Sequence, residues 1–388
     1  MIRKGYKQTE IGIIPQDWEV KSILNNSTLK ARIGWQGLTV AEYLDNGEFY
    51  LVTGTDFDNG KIKWETCHYV NKDRYIQDKN IQVKVGDVLI TKDGTIGKVA
   101  YINLPIDATL NGGVFVVRPK GNEYYPQYLF YIFNSTYFKD FLNKLAAGST
   151  INHLYQKDFI SFRYPLPPTL AEQIAISTAL SDADDLISSI EKLIDKKRNI
   201  KQGAMQQLLK PKDGWVVKKL GEVAEIKKGE QLNRSTLNEN DIYPVINGGI
   251  LPSGYTDKWN QKAETIIISE GGNSCGYVNF IRTNFWQGGH CYSLDTKIKK
   301  DFLFQLLKSL ESFVMGLRVG SGLPNIQRNR LIDFIINIPP SLEEQTRIAI
   351  ILSDMDAEIE GLERKLNKYR MIKQGMMQEL LTGKTRLI

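Results

Sequence analysis

Four short patterns carry residue types that do chemistry elsewhere. Asp213 followed by Glu225-Ile226-Lys227 has the carboxylates and the lysine of a metal-dependent nuclease centre. Asn337-Ile338-Pro339-Pro340-Ser341 approaches the Asn/Asp-Pro-Pro-aromatic motif that holds a target amino group for methyl transfer. Cys67-His68 and His290-Cys291 bring together zinc-ligand types. Gly94-Thr95-Ile96-Gly97-Lys98 has glycines and a lysine, as a phosphate loop does. Each pattern falls short on spacing. The nuclease set is short enough to arise by chance. The Asn337 segment has an extra residue, lacks the aromatic, and sits where a helix begins. Adjacent residues on a strand point to opposite faces, so neither Cys–His pair converges on one metal, and no Cys-x-x-Cys supports them. Gly97-Lys98 lacks the P-loop spacing and its Ser/Thr. With 3 histidines in 388 residues, acid–base catalysis has little to work with.

What the polar residues can do is bind. Asp87-Val88-Leu89-Ile90-Thr91-Lys92-Asp93-Gly94-Thr95-Ile96-Gly97-Lys98-Val99 reads as strand, glycine-containing loop and strand. A looser counterpart runs from Glu264 to Val278, through Gly271-Gly272-Asn273. Such loops can place side chains against base edges while backbone amides approach phosphates. A hairpin connection without that role has the same pattern. The DNA-facing candidates are Arg32, Thr53, Thr55, Lys92, Asp93, Thr95, Lys98 and His153, and, later in the chain, Lys228, Asn247, Ser269, Glu270, Asn273, Arg282, Asn325, Gln327 and Arg328.

Positioning these loops falls to a repeat. Pro167-Pro168-Thr169-Leu170-Ala171-Glu172-Gln173 returns 172 residues later as Pro339-Pro340-Ser341-Leu342-Glu343-Glu344-Gln345. Leu180-Ser181-Asp182 returns as Leu352-Ser353-Asp354, and Ile200-Lys201-Gln202-Gly203 as Ile372-Lys373-Gln374-Gly375, with no gap. A gapless repeat of this length is one structural unit used twice. Both copies read as long helices, about 170–209 and 342–381. Apolar positions such as Ile348, Leu352, Met355, Ile359, Leu362 and Leu366 alternate by three and four, the pattern of a coiled-coil seam. Acids fill the first half of each helix and bases the second: residues 172–191 hold 5 acids and no base, and residues 192–212 hold 7 bases and 1 acid. Antiparallel pairing lays acid against base along the whole length, whereas the helix dipole explains only the terminal turns. The segments before each helix are β-rich, with short runs such as Gly113-Val114-Phe115-Val116-Val117 and Thr265-Ile266-Ile267-Ile268. Each ends in a helix-like stretch, 125–145 and 301–317, and a Gly-Ser turn, Gly148-Ser149 and Gly320-Ser321. The net charge of +6 permits a polyanionic partner without demanding one, and both heads lean positive, with 20 basic and 17 acidic residues before Leu170 and 15 and 13 from Asp213 to Leu342. No apolar run reaches the length of a membrane span, the start lacks the pattern of a signal peptide, and 3 scattered cysteines favour reduced thiols in the cytoplasm.

In combination, the Pro-Pro-x-Leu-x-Glu-Gln helix start, the Lys-Gln-Gly-x-Met-Gln-x-Leu-Leu helix end and the Gly-Asp-Val-Leu-Ile…Gly-Thr-Ile-Gly-Lys-Val stretch resemble the specificity (S) subunits of type I restriction–modification systems. Ile11-Gly12-Ile13-Ile14-Pro15-Gln16-Asp17-Trp18-Glu19-Val20 is similar to that family's lead-in to a target-recognition domain, and Asp213–Glu222 repeats it. The resemblance covers the whole chain. It implies an α+β architecture: two β-rich target-recognition domains, 1–165 and 213–337, joined by two long antiparallel helices, 166–212 and 338–388, in a pseudo-two-fold repeat. It implies a non-catalytic subunit that reads a split double-stranded DNA site and docks two methyltransferase (M) subunits, with ATP-dependent restriction (R) subunits where the system has them. No cofactor is then expected on this chain, since S-adenosylmethionine, ATP and Mg belong to the partners. Met205, Gln206, Met376, Met377 and Gln378, at the helix ends, are the candidate docking residues; methionine adapts to varied contacts, and the other reading is that these methionines complete the seam. The rival functional readings are a methyltransferase or nuclease with its own recognition domains, and a coiled-coil scaffold whose heads bind protein.

Overall fold

The computed structural model describes residues 4–146, 153–320, 322 and 324–387. By its internal packing the chain divides into two units, Met1–Ser189 with Leu366–Ile388, and Ile190–Lys365.

In the first unit a four-stranded antiparallel sheet runs in the order Val99–Tyr101, Val88–Thr91, Val114–Pro119, Ser27–Lys30. The central runs are apolar on both faces, and the two-residue period of a strand sorts them. Val88, Ile90, Phe115 and Val117 face a core built with the helix Pro126–Phe133. Leu89, Val114 and Val116 face a second core, under a small sheet ordered Ala108–Leu110, Phe49–Val52, His68–Val70. A further strand pair, Glu19–Ser22 with Arg163–Leu166, leads directly into the first long helix.

The second unit repeats this plan with different residues. Its four-stranded sheet runs Val278–Ile281, Thr265–Ser269, Cys291–Thr296, Ala224–Lys228. Its small sheet is Tyr255–Thr256, Tyr243–Ile246, Trp286–Gln287, and its lead-in pair is Val216–Lys219 with Ile335–Ile338. In both small sheets the central strand pairs parallel on one side and antiparallel on the other.

Each helix-like stretch expected at the end of a head is two helices. In the first head Pro126–Phe133 ends at Asn134, and the Ser135 hydroxyl accepts the Tyr137 amide to start Thr136–Leu145. A serine at an N-cap favours a new start over continuation. In the second head Lys300–Ser309 and Glu311–Gly316 meet at Leu310. The expected turn Gly148-Ser149 and residue Ser321 lie outside the described residues; Gly320 is described, with φ of 97°.

The long helices are Leu170–Leu208 and Leu342–Leu380, 39 residues each, or about 58 Å at 1.5 Å per residue. The repeated start motif has a local cause. Thr169 and Ser341 cap the first turns by accepting the amides of Glu172 and Glu344. The buried Gln173 amide group donates to the Pro167 carbonyl (3.0 Å) and accepts from the Tyr125 amide (2.8 Å). Gln345 does the same with Pro339 (2.8 Å) and Lys299 (3.1 Å). Each glutamine thus fastens a helix start to its own head.

Within each unit the helix halves pair antiparallel, as the charge pattern requires. In the first, Lys373 meets Asp184 at 2.5 Å, and Arg386, on the tail beyond the helix, meets Glu172. In the second, Lys201 meets Asp356 at 2.5 Å, Lys197 meets Glu358 at 2.6 Å and Arg198 meets Glu363 at 2.6 Å. Lys373–Asp184 and Lys201–Asp356 are one pair related by the 172-residue repeat. Apolar burial supplies most of the stability. Ile176, Leu180, Leu380 and Leu381 join the first head's core, and Ile348, Leu352 and Leu209 the second's. A buried leucine or isoleucine contributes roughly 1.5–3 kcal/mol, a part-exposed ion pair about 1 kcal/mol or less. The ion pairs set direction and register; the seam holds.

Candidate nucleic-acid interface

Both heads build the same loop cluster at one end of the four-stranded sheet. In the first, Thr91 and Lys98 close the Lys92–Lys98 loop, since the Thr91 amide donates to the Lys98 carbonyl and the Gly97 amide to the Thr91 carbonyl. The Lys92 amide donates to the Gly113 carbonyl, and the Leu154 amide to the Lys92 carbonyl. In the second head the same four bonds recur. They run from Ser269 to Tyr277, Gly276 to Ser269, Glu270 to His290 and Ile326 to Glu270. Thr91, Lys92, Gly97, Gly113 and Leu154 therefore correspond to Ser269, Glu270, Gly276, His290 and Ile326. Two further bonds, Asn111 amide to Val52 carbonyl and Gly288 amide to Ile246 carbonyl, bring the Thr53–Asp56 and Asn247–Gly249 loops to the same place.

These bonds gather most of the sequence candidates. In the first head Lys92, Asp93, Thr95, Lys98 and Thr55 lie on the cluster with part or full exposure. His153 bridges to Asp93 through backbone and side chain, and its ring lies 4.5 Å from that of Tyr155. In the second, Asn325 bridges to Gly271, and the Asn247 side chain accepts the His290 amide. Lys228 pairs with Glu270 at 2.6 Å. Asn273 and Gln327 are exposed beside them, and the Arg328 guanidinium donates to the Ile226 carbonyl at 2.8 Å.

Four candidates do not lie on the exposed face of the clusters. Arg32 is 3% exposed, and its guanidinium bonds Leu110 and Gln36 carbonyls, Thr109 and Gln77, so it braces the head from inside. Thr53 is buried and donates amide and hydroxyl to Asp56. Ser269 is buried, its hydroxyl on the Gly248 carbonyl. Arg282 follows Ile281, which pairs with Thr265, so it lies at the end of the strand pair opposite the loop, with its guanidinium 5.4 Å from the Phe280 ring. Arg32, Thr53 and Ser269 are thus buried and hydrogen-bonded within their heads, and Arg282 lies at the far strand end.

Two glycine turns, Asn111-Gly112-Gly113 and Gly288-Gly289-His290, belong to the clusters and are not among the candidates. The Gly-Gly pair ahead of a strand was their signal. Gly248 requires its glycine: φ is 84°, and a Cβ there would sit 2.6 Å from the His290 carbonyl oxygen. Behind the second cluster, burial first and then the Glu270 carboxylate push the Tyr292 phenol up. Its hydroxyl lies 2.9 Å from Glu270.

On the helices, Met205 is half-buried against the second head's core, and Met376 and Met377 against the first head's. Gln206 and Gln378 are exposed. The exposed apolar residues near the same helix ends are Ile200, Met371 and Ile372.

A model of the type I restriction modification DNA specificity domain matches residues 38–201 and 212–368. The chain is 28% identical to a putative type I restriction enzyme MjaX specificity subunit of Methanocaldococcus jannaschii, over 99% of this chain and 97% of that protein. It is 29% identical to the MjaVIII specificity subunit of the same organism, over 96% and 94%. The crystal structure of a type I restriction-modification system S subunit from M. genitalium shares the fold, with a TM-score of 0.68 at 17% identity over 94% of this chain and 96% of that one.

Proposed function

Because the chain belongs to the type I restriction-modification DNA specificity family, we propose that each of its two heads reads one half of a split duplex DNA site through the loop cluster described above. The chain is the non-catalytic specificity subunit of such a system, and its partners are DNA and the modification and restriction subunits. The observation that carries the split-site reading is the pair of loop clusters: identical backbone hydrogen bonds present different side chains. A fixed frame with exchanged polar groups is what reading two different sequences needs, because base edges are distinguished by their donor and acceptor patterns.

In this reading residues 1–165 and 213–337 are the recognition heads, and 166–212 and 338–388 carry the helices. Two methyltransferase subunits dock on the repeated helix ends. Gln206 and Gln378 offer polar contacts there, and Met205, Met376 and Met377 support the surface from within the seam. S-adenosylmethionine, ATP and Mg are bound by the partner subunits, and the complex works in the cytoplasm. No helix among the described residues is long and apolar enough to cross a membrane.

Reconstitution tests the division of labour. The chain alone, given S-adenosylmethionine and duplex DNA, transfers no methyl group; the chain with its methyltransferase partner methylates adenine at a restricted set of sites. Methyl transfer by the isolated chain would overturn the reading.

A further inference from the structure

One position is charged in both heads, with opposite sign. Lys92 and Glu270 occupy the same place by their backbone bonds. The residue behind each changes with it. Phe115 pairs with Ile90, one residue before Thr91, and Tyr292 pairs with Ile268, one residue before Ser269, so these aromatics also correspond. The Lys92 ammonium lies 5.3 Å from the Phe115 ring centroid, a cation on an aromatic face. The Glu270 carboxylate, with a side chain 15% exposed, meets the Tyr292 hydroxyl at 2.9 Å and the Lys228 ammonium at 2.6 Å, and the His290 ring lies 3.8 Å away; the same hydroxyl lies 3.1 Å from the Ile326 carbonyl oxygen. A phenylalanine has no hydroxyl to offer a carboxylate; a tyrosine does. Each charge is therefore held from behind by a ring suited to its sign, which reduces the rotamer freedom lost on binding.

Resting on the reading of the clusters as DNA-facing, we infer that this position selects opposite members of a base pair: Lys92 takes a guanine in the first half-site and Glu270 takes a cytosine in the second. A lysine is a donor only, and guanine offers two acceptors, O6 and N7, on its major-groove edge. A carboxylate is an acceptor only, and cytosine offers its N4 amine. Adenine also offers an amine, but its neighbouring N7 lone pair faces the second carboxylate oxygen and repels it. Tyr292 and Lys228 both engage Glu270 Oε1, so Oε2, which the His290 ring nitrogen approaches to 3.8 Å, is the oxygen left for the base.

The test maps the methylated motif made by the complex of this chain with its methyltransferase partner, for wild type, Glu270→Gln, Lys228→Ala, Lys92→Met and the double change Glu270→Lys with Tyr292→Phe. Glu270→Gln is nearly isosteric, and its melting curve reports whether the head stays folded. The expected wild-type motif has a position fixed as guanine in one half and a position fixed as cytosine in the other. Glu270→Gln lowers the cytosine preference by about 10- to 100-fold and leaves the other half unchanged; Lys92→Met does the reverse. The double change moves the preference from cytosine toward guanine. A sequence-restricted motif that Glu270→Gln leaves intact, or whose selectivity is lost only with Lys228→Ala, overturns the inference alone. Methylation without any sequence restriction overturns the reading of the heads as well.

Discussion

Replacing Arg386 with alanine destabilises the first unit by about 3 kcal/mol, the cost of leaving a buried charge without its partner. Glu172 is 1% exposed, and its carboxylate is bound by the Arg386 guanidinium, which also makes two bonds to Asp17 (3.0 and 3.1 Å) and lies 5.7 Å from the Trp18 ring. The tail that carries it is fastened beside them: the Tyr6 hydroxyl donates to the Gly383 carbonyl. Hydrogen exchange read along the chain should show faster opening in Met1–Ser189 and little change in Ile190–Lys365. The effect also has a pH signature. The Arg386 guanidinium holds the Asp17 carboxyl below its ordinary value. A depressed acid stabilises in full above its unfolded pKa, near 4, and loses that contribution as pH falls through the lower folded value. The gap between wild type and variant therefore narrows below pH about 4. Equal loss in both units, or a gap that widens in acid, would contradict this assignment.

Alanine at Gly276 costs on the order of 3 kcal/mol, from a left-handed residue (about 1–2 kcal/mol) and from overpacking. Its φ is 89°, and a Cβ would lie 2.7 Å from the Met315 Cα and 2.9 Å from the Met315 nitrogen. The obstacle is helix backbone and does not yield. Gly97, at the corresponding place, has φ of 84°, but its added Cβ meets the end of the Leu142 side chain, at 2.5 Å. A leucine can turn aside, so Gly97→Ala costs the conformational part, about 1–2 kcal/mol. Urea unfolding of the two variants separates them. If Gly97→Ala proves the more damaging, the packing account of these loops is wrong.

Much of the scaffold was legible because its signals are periodic or charged. The three-and-four alternation of Ile348, Leu352, Ile359 and Leu366 and the acid–base halves fixed two long helices and their direction. The breaks at Asn134 and Leu310 were harder to read, since Ser135 caps a helix with the same residue type that decorates surfaces. At the candidate site, residue type alone pointed to Lys92, Asp93, Asn247 and Glu270, which the backbone and side-chain bonds bring into the two loop clusters. It pointed equally to Arg32, which is buried, and to Arg282, at the far strand end, because residue type does not reveal burial or register. The correspondence of Lys92 with Glu270 is carried by backbone hydrogen bonds and strand register, because the heads share little sequence between their helices. Phe115 and Tyr292 were invisible as site residues for the same reason: each is one of many aromatic residues until the register places it behind a charge.

The central claim is that each head reads its own half-site. The direct measurement is base-resolution mapping of methylated adenines in DNA treated with the complex, for wild type and for Lys92, Asp93 and Thr95 changed together to alanine. The account predicts a wild-type motif of two specified parts with a fixed unspecified spacer. In the variant one part degenerates while the other part and the spacer length stay as they were. A continuous motif, or a variant in which both parts degenerate together or neither changes, would contradict it.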